Sequence, residues 1–251
     1  MDNLDLLIDL HRHAARQGPG GAEETRLAVT LSGLRGARGL KIADIGCGSG
    51  ASTLVLAREL DAEVTAVDFI AAFLEELESA AAREGLGGRI RTREAAMEAL
   101  PFEAQSLDAI WSEGAIYNMG FANGVKSWRH FLKPGGVLAV SELTWLTQER
   151  PAEIERHWLE EYPEVGTASA KLAILEQNGY SPLGYFPLPE RCWLENYYGP
   201  MRARFAAFLA RNGNSEAAAA VVKSEESEIA LYERNAAHVS YGYYVAKKTA
   251  G

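Results

Sequence analysis

Three observations predict an α/β fold with a doubly wound, mostly parallel sheet. Apolar runs of strand length alternate with helical segments from Leu40 to Glu142. That order buries a parallel sheet between two helical layers. The first run, Leu40–Asp44, leads through Ile45 into Gly46-Cys47-Gly48-Ser49-Gly50, glycines alternating with small residues, and a helix-like stretch follows from Ser52. The second run, Glu63–Asp68, ends in an acid. A strand, a glycine turn and a helix form the crevice at which open α/β sheets bind nucleosides.

The elements follow in order. Leu4, Leu6, Leu7, Ile8 and Leu10, set among acids, predict a short amphipathic helix over Leu4–His13. The stretch Ala15-Arg16-Gln17-Gly18-Pro19-Gly20-Gly21 breaks it, and a second helix spans Glu23–Leu34. The core then reads as strand Leu40–Asp44, helix Ser52–Leu60, strand Glu63–Asp68, helix Ala71–Glu84 and strand Ile90–Arg93. Strand Leu107–Trp111, helix Val125–Leu132 and strand Val137–Glu142 complete it. Beyond Thr144, helices are predicted at Glu153–Tyr162 and Ala168–Asn178, a strand at Leu183–Leu188, and a long helical stretch at Met201–Asn235. A final strand spans Val239–Lys247, where Val239, Tyr241, Tyr243 and Val245 alternate.

Composition narrows the function classes. A chain of 251 residues fits one α/β domain with additions. Its net charge of −9 and scattered basic residues disfavour DNA or tRNA as substrate. No apolar run is long enough for a membrane span, and the start of the chain lacks the regions of a signal peptide. Two cysteines, Cys47 and Cys192, are too few for a disulfide framework, so a cytoplasmic location is expected. His11-Arg12-His13 is weak as a metal pattern, and no metal site is expected.

Two nucleoside cofactors fit the glycines. Written Gly46-x-Gly48-x-x-Ala51, they suit a nicotinamide dinucleotide. Asp68 suits a ribose hydroxyl in either case. Asp44 weighs toward S-adenosylmethionine. A carboxylate on the strand before the turn repels a pyrophosphate and suits the ammonium end of a ligand that has no phosphate.

Four segments, in order, resemble the class I S-adenosylmethionine-dependent methyltransferase superfamily. They are Asp44–Gly50, Asp68, Ala96-Met97-Glu98-Ala99-Leu100-Pro101-Phe102 and Leu132-Lys133-Pro134-Gly135-Gly136. The third resembles the branch that holds the quinone-biosynthesis methyltransferases, and the terminal segments resemble small bacterial methyltransferases of unassigned substrate. The resemblance implies a Rossmann-like, seven-stranded sheet whose last strand is antiparallel. It also implies that the last two strands form a hairpin, so Arg191–Asn235 reads as a helical insertion before the last strand. One domain, 1–251, is expected: an N-terminal helical lid (1–36), a cofactor-binding core (37–145) and a C-terminal part (146–251) with the insertion at 191–235. The implied cofactor is S-adenosylmethionine, leaving as S-adenosylhomocysteine. Its implied contacts are Asp44, Gly46, Cys47, Gly48, Gly50, Thr53, Asp68, Phe69, Ala96, Met97 and Ser112. Many relatives carry Asp at the place of Ala96, where it meets the adenine amino group.

Methyl transfer from a sulfonium is an in-line displacement that needs alignment first, and a base only if the acceptor must lose a proton. Glu113 and Tyr117, expected just past the fourth strand, are the catalytic candidates, with Glu113 as a base, a binder of an acceptor cation or a cap. Arg16 and Gln17 are candidate donors to the cofactor carboxylate, on a segment that folds over it. Nine of the ten tyrosines lie after Arg150. Of these, Tyr241, Tyr243 and Tyr244 read as sheet residues, while Trp193, Asn196 and Tyr197 read equally as core or as pocket wall. The expected partner is a small molecule, with neither nucleic acid nor membrane; a homodimer stays open. A nicotinamide oxidoreductase and a non-catalytic cofactor-binding protein are the rival readings.

Overall fold

The apolar runs assemble into one sheet whose most buried strand carries the glycine turn. The structure, a computed structural model, describes residues 3–249. The two residues at each end of the predicted domain lie outside that range. β1 (Leu40–Ile45), β2 (Ala62–Asp68), β3 (Ile90–Glu94), β4 (Leu107–Glu113) and β5 (Leu132–Trp145) run parallel in the order β3-β2-β1-β4-β5. Ile42 and Ile45 on β1 are fully buried; each contributes about 1.5–3 kcal/mol relative to exposure. A two-residue strand, β6 (Gly166–Thr167), pairs with the end of β5. β8 (Val239–Lys248) lies antiparallel between β5 and β7 (Tyr180–Pro187). The expected seven-stranded path with an antiparallel last strand is present, and β6 is an addition to it.

α3 (Ala51–Glu59), α4 (Ala71–Arg83), α5 (Phe121–Trp128) and α7 (Ala168–Gln177) pack along the sheet, and α6 (Ala152–Glu161) packs on the helix that precedes β8. The insertion before β8 comprises α8 (Glu190–Trp193), a π-turn (Leu194–Tyr198), α9 (Gly199–Arg211) and α10 (Glu216–Asn235). The single long helix expected over Met201–Asn235 is therefore two. Gly213 and Asn214 take left-handed φ values of 65° and 51° between them, and Ser215 caps α10 through Ala218 N–H at 3.3 Å. Such residues end a helix and turn the chain.

Three further boundaries move. β4 runs on through Ser112 and Glu113, because Ser141 on β5 continues to pair with it; Glu113 therefore sits on a strand end, not in a loop. α5 starts at Phe121, after Gly120, and is over before Leu132, where β5 begins. The segment expected as a lid to residue 36 is divided. α2 (Ala22–Ser32) buries Ala28 and Val29 against the sheet side, whereas α1 (Asn3–His11) and the turn after it lie over the carboxyl ends of the strands.

Candidate active site

The glycine turn is built by backbone geometry that side chains exclude. Gly46 and Gly48 have φ of 68° and 54°, a region that costs other residues energy. A Cβ on Gly46 would lie 2.3 Å from Ala115 Cβ, and one on Gly48 would lie 2.3 Å from Gln17 Oε1. Val67 O accepts from the N–H groups of Gly46 (2.8 Å) and Cys47 (3.1 Å), which ties the turn to β2. Asp68 completes the tie. Its Oδ2 accepts from Gly48 N–H and its Oδ1 from Ile70 N–H, both at 2.9 Å. Burial nonetheless raises its pKa, against those bonds.

A cleft of about 530 Å³ opens over this turn, lined by Gly46, Cys47, Gly48, Asp68, Phe69 and Met97. An apolar slot of about 340 Å³ adjoins it, walled by Ile45, Val67, Phe69, Ala96 and Met97 with Asp68 at its edge. Phe69 is 56% exposed although aromatic. A flat apolar slot beside a carboxylate suits a base and its ribose.

Asp44, Thr53 and Ser112 do not line either space. Asp44 is fully buried under the turn, and its Oδ2 accepts from Ser52 Oγ (2.8 Å) and Thr53 Oγ1 (2.6 Å). Its Oδ1 is buried with no partner among the described residues. Burial pushes its pKa up to about 7 against those two hydroxyls, with Glu113's charge adding to the rise. Its carboxylate therefore holds the start of α3 and does not face the cleft. Gly50 also lies outside; a Cβ there would strike Leu77, so it serves α3–α4 packing.

The N-terminal segment closes one side. Gln17 Oε1 accepts from Ser49 N–H at 2.8 Å and from Ser49 Oγ at 3.0 Å. Arg16 donates to Glu113 Oε2 at 2.5 Å. Glu113 Oε1 accepts from Thr25 Oγ1 (2.7 Å), Tyr243 OH (2.9 Å) and Trp111 Nε1 (3.3 Å). Four donors thus converge on one carboxylate and fasten β4, β8, α2 and the N-terminal turn together. Arg16 Nε is buried and has no partner among the described residues. His11 is half-buried and stacks on Tyr197, with rings 6.0 Å apart and 7° from parallel. Burial and the charge of Arg204 lower its pKa to about 4. His13 stays exposed and pairs with Glu76 at 2.6 Å.

A second chamber of about 230 Å³ continues from the cleft past Gln17, Gly114 and Tyr117. Its walls carry Trp158, Tyr162, Trp193, Tyr197 and Tyr241, with Glu161 and Glu228. Trp193 stacks on Tyr232 at 4.4 Å and meets Tyr241 edge-on at 5.0 Å; its Nε1 donates to Ser240 Oγ at 2.9 Å. Tyr117 meets Tyr162 edge-on at 6.0 Å. Tyr241, Tyr243 and Tyr244 all lie on β8, as expected; Tyr243 and Tyr244 are buried, and Tyr241 also faces the chamber. Asn196 spans the gap to the N-terminal turn, donating to Gly20 O at 2.7 Å. Trp158, Glu161, Glu225 and Glu228 were not singled out as pocket residues by the sequence. The aromatic density after Arg150 was the one signal pointing there, and no motif surrounds the acids. Among the described residues there is no group of three or more side chains fit to hold a metal ion, and no helix is long and apolar enough to cross a membrane.

Residues 42–136, the span of the turn, the slot and β5's start, match the family model of a methyltransferase domain. The chain is 27% identical over 155 residues to the 27-O-demethylrifamycin SV methyltransferase of Amycolatopsis mediterranei, covering 61% of this chain and 56% of that one. It is 30% identical over 141 residues to the erythromycin 3''-O-methyltransferase of Saccharopolyspora erythraea, covering 54% and 46%. The chain thus spans about half the length of the curated relatives it matches. In fold it is similar to an S-adenosylmethionine-dependent methyltransferase from Geobacter sulfurreducens solved with S-adenosylhomocysteine, with a TM-score of 0.83, 18% identity, and 96% and 97% of the two chains covered.

Proposed function

We propose that this chain, a member of the class I S-adenosylmethionine-dependent methyltransferase superfamily, transfers a methyl group from S-adenosylmethionine to a small-molecule acceptor. The observation that carries the reading is the pairing of two spaces. The glycine cleft, with Asp68 at its edge, opens directly into a separate aromatic chamber.

The residues fit the cofactor. The apolar slot of Phe69, Ala96 and Met97 takes the adenine, and Asp68 accepts from the ribose hydroxyls. Gly46 and Gly48, where a Cβ would not fit, bring backbone against the ligand, with Cys47 between them. Arg16 Nε, a buried donor without a partner among the described residues, meets the carboxylate in this reading, with Gln17 beside it. A pyrophosphate finds acids here, Asp68 and Glu113, and one arginine already held by Glu113. That disfavours a nicotinamide dinucleotide.

S-adenosylmethionine supplies an activated methyl carbon on a sulfonium. The chain does the rest by alignment and exclusion of water. α1 and the turn carrying Arg16 and Gln17 cover the cleft. Glu113 is a positioning residue in this reading: its lone pairs are engaged by four donors, and it acts by holding Arg16. Tyr117 lines both spaces and contacts the acceptor. The free, buried thiols of Cys47 and Cys192 suit a reducing compartment, and the cytoplasm is part of the proposal.

Calorimetry with S-adenosylmethionine, S-adenosylhomocysteine and NAD tests the cofactor. The two sulfur ligands bind and NAD does not; NAD binding with no response to the other two would overturn the reading. Methyl transfer to a metabolite panel then tests catalysis against a purely binding role.

A further inference from the structure

Resting on the methyl-transfer reading, we propose that the acceptor is a small amine, held as its ammonium ion in the chamber formed by Tyr117, Trp158, Trp193, Tyr197 and Tyr241 with Glu161 and Glu228. The chamber contains two carboxylates and no basic side chain. Glu225 adds a third acid where the chamber meets the cleft. Among the described residues none of these three carboxylates makes an ion pair, whereas sixteen such pairs occur elsewhere in the molecule. Among the described residues Glu228 accepts only from Tyr198 OH, at 2.8 Å. Burial raises the pKa of Glu228, and burial together with Glu228's charge takes Glu225 to about 7. Glu225 and Glu228, crowded and partly dehydrated in this way, are relieved by a cation, while Glu161 stands exposed at the chamber's rim.

The basic groups nearby are held elsewhere. Arg16 lies on Glu113. Lys171 sits behind the wall, on Tyr162 OH at 3.3 Å and over the Phe121 ring, with Glu142 and Glu164 beside it. Arg204 reaches Leu10 O on α1. His157 offsets Glu228 in part from the outer side. The faces of the chamber are aromatic, and aromatic faces attract ammonium ions, most strongly where water is excluded. Trp158 Nε1, buried without a partner among the described residues, is left as a donor to an oxygen elsewhere on the acceptor. A volume of about 230 Å³ holds about eight water-sized groups, so the amine is compact.

The carboxylates also complete the chemistry. A bound ammonium has no lone pair, so one proton passes to Glu228 before transfer. The freed nitrogen lone pair then forms the bond to the methyl carbon as the carbon–sulfur bond breaks, and that electron pair stays on sulfur. The products are an N-methylammonium ion and a neutral thioether.

Choline and 3,3-dimethylbutan-1-ol, its uncharged carbon isostere, are titrated into the S-adenosylhomocysteine-loaded protein, with tryptophan fluorescence as readout. Choline is expected to bind about tenfold tighter or more. Glu228→Gln should remove most of that preference while S-adenosylhomocysteine affinity stays within twofold. Equal binding of the two probes, tighter binding of the alcohol, or no binding of either overturns the ammonium site. A preference that survives both Glu228→Gln and Glu161→Gln overturns the role of the carboxylates. Loss of S-adenosylhomocysteine binding by the unaltered protein is a different result, and it strikes the methyl-transfer reading itself. If Glu228→Gln fails to fold, the comparison of the two probes on the unaltered protein still decides.

Discussion

The glycine cleft and the aromatic chamber touch, yet they are built in opposite ways. The cleft is made chiefly by short stretches that follow one another between Ile45 and Asn118 around the ends of β1, β2 and β4, with α1 and its turn laid over them and Glu161, Tyr197, Glu225 and Glu228 on the side toward the chamber. The chamber is made of side chains from Gln17 to Tyr241, contributed by the N-terminal turn, α6, the insertion and β8. A wall built around a tight glycine turn conforms to one ligand. A wall of side chains on separate elements is changed by substitution without disturbing the sheet. The first suits a fixed cofactor, and the second suits an acceptor that differs from relative to relative.

The largest effect should come from the chamber wall. Trp193 is 2% exposed and stacks on Tyr232. Trp193→Ala should lower stability by about 3–5 kcal/mol, measured by urea unfolding. Below its melting temperature it should keep normal affinity for S-adenosylhomocysteine. A lost affinity in the folded variant would break the separation of the two regions.

Next comes the turn itself. Gly48→Val places a branched side chain at φ 54° and against Gln17. Calorimetry should show S-adenosylhomocysteine affinity reduced about 100-fold or more, while unfolding of the ligand-free protein shifts by about 1–3 kcal/mol for the strained backbone. Retained affinity would remove the turn from the site.

Asp68→Ala should cost about 1.5–3 kcal/mol of cofactor affinity, for a charge-assisted hydrogen bond. Part of that loss comes through the turn, because Asp68 also accepts from Gly48 N–H. Asp68→Asn sharpens the distinction. It keeps an acceptor for one backbone donor and should lose less than Asp68→Ala in unfolding, with a comparable loss in binding.

The smallest effect concerns Asp44, beneath the cleft. Its folded pKa, about 7, lies above the usual carboxylate value of 3.8. The folded state therefore binds its proton more tightly than the unfolded state does. Stability from this group is fully present below the unfolded pKa and declines as pH rises through about 4 to about 7. In Asp44→Asn that decline should disappear, so the variant-minus-parent difference in unfolding free energy should rise by about 1 kcal/mol or more between those limits. A flat difference would show that Asp44 is not held neutral by burial.

How far the site was legible follows the same division. Gly46, Gly48, Asp68, Phe69, Ala96 and Met97 lie together around the cleft and its slot, since each belongs to a contiguous strand-and-turn pattern. Asp44, Thr53 and Ser112 belong to the same patterns but lie behind the wall, because a strand's alternation does not say how far the next helix start will cover a side chain. Glu113 reads in sequence as a loop acid. Only the packing of Arg16, Thr25, Trp111 and Tyr243 around it shows an anchor with its lone pairs engaged.

The sequence by itself determined the α/β class, the order of the core elements, the glycine turn and the placing of an insertion before the last strand. These follow from periodicity and from residues whose backbone freedom is a local property. Tertiary structure alone decided that α2 packs on the sheet while α1 covers the cleft. It also brought Glu161 from α6 and Glu228 from α10 onto one aromatic chamber. The reason is physical: burial and charge crowding arise between elements distant in the chain, and on its own helix each of those acids looks like any solvated side chain.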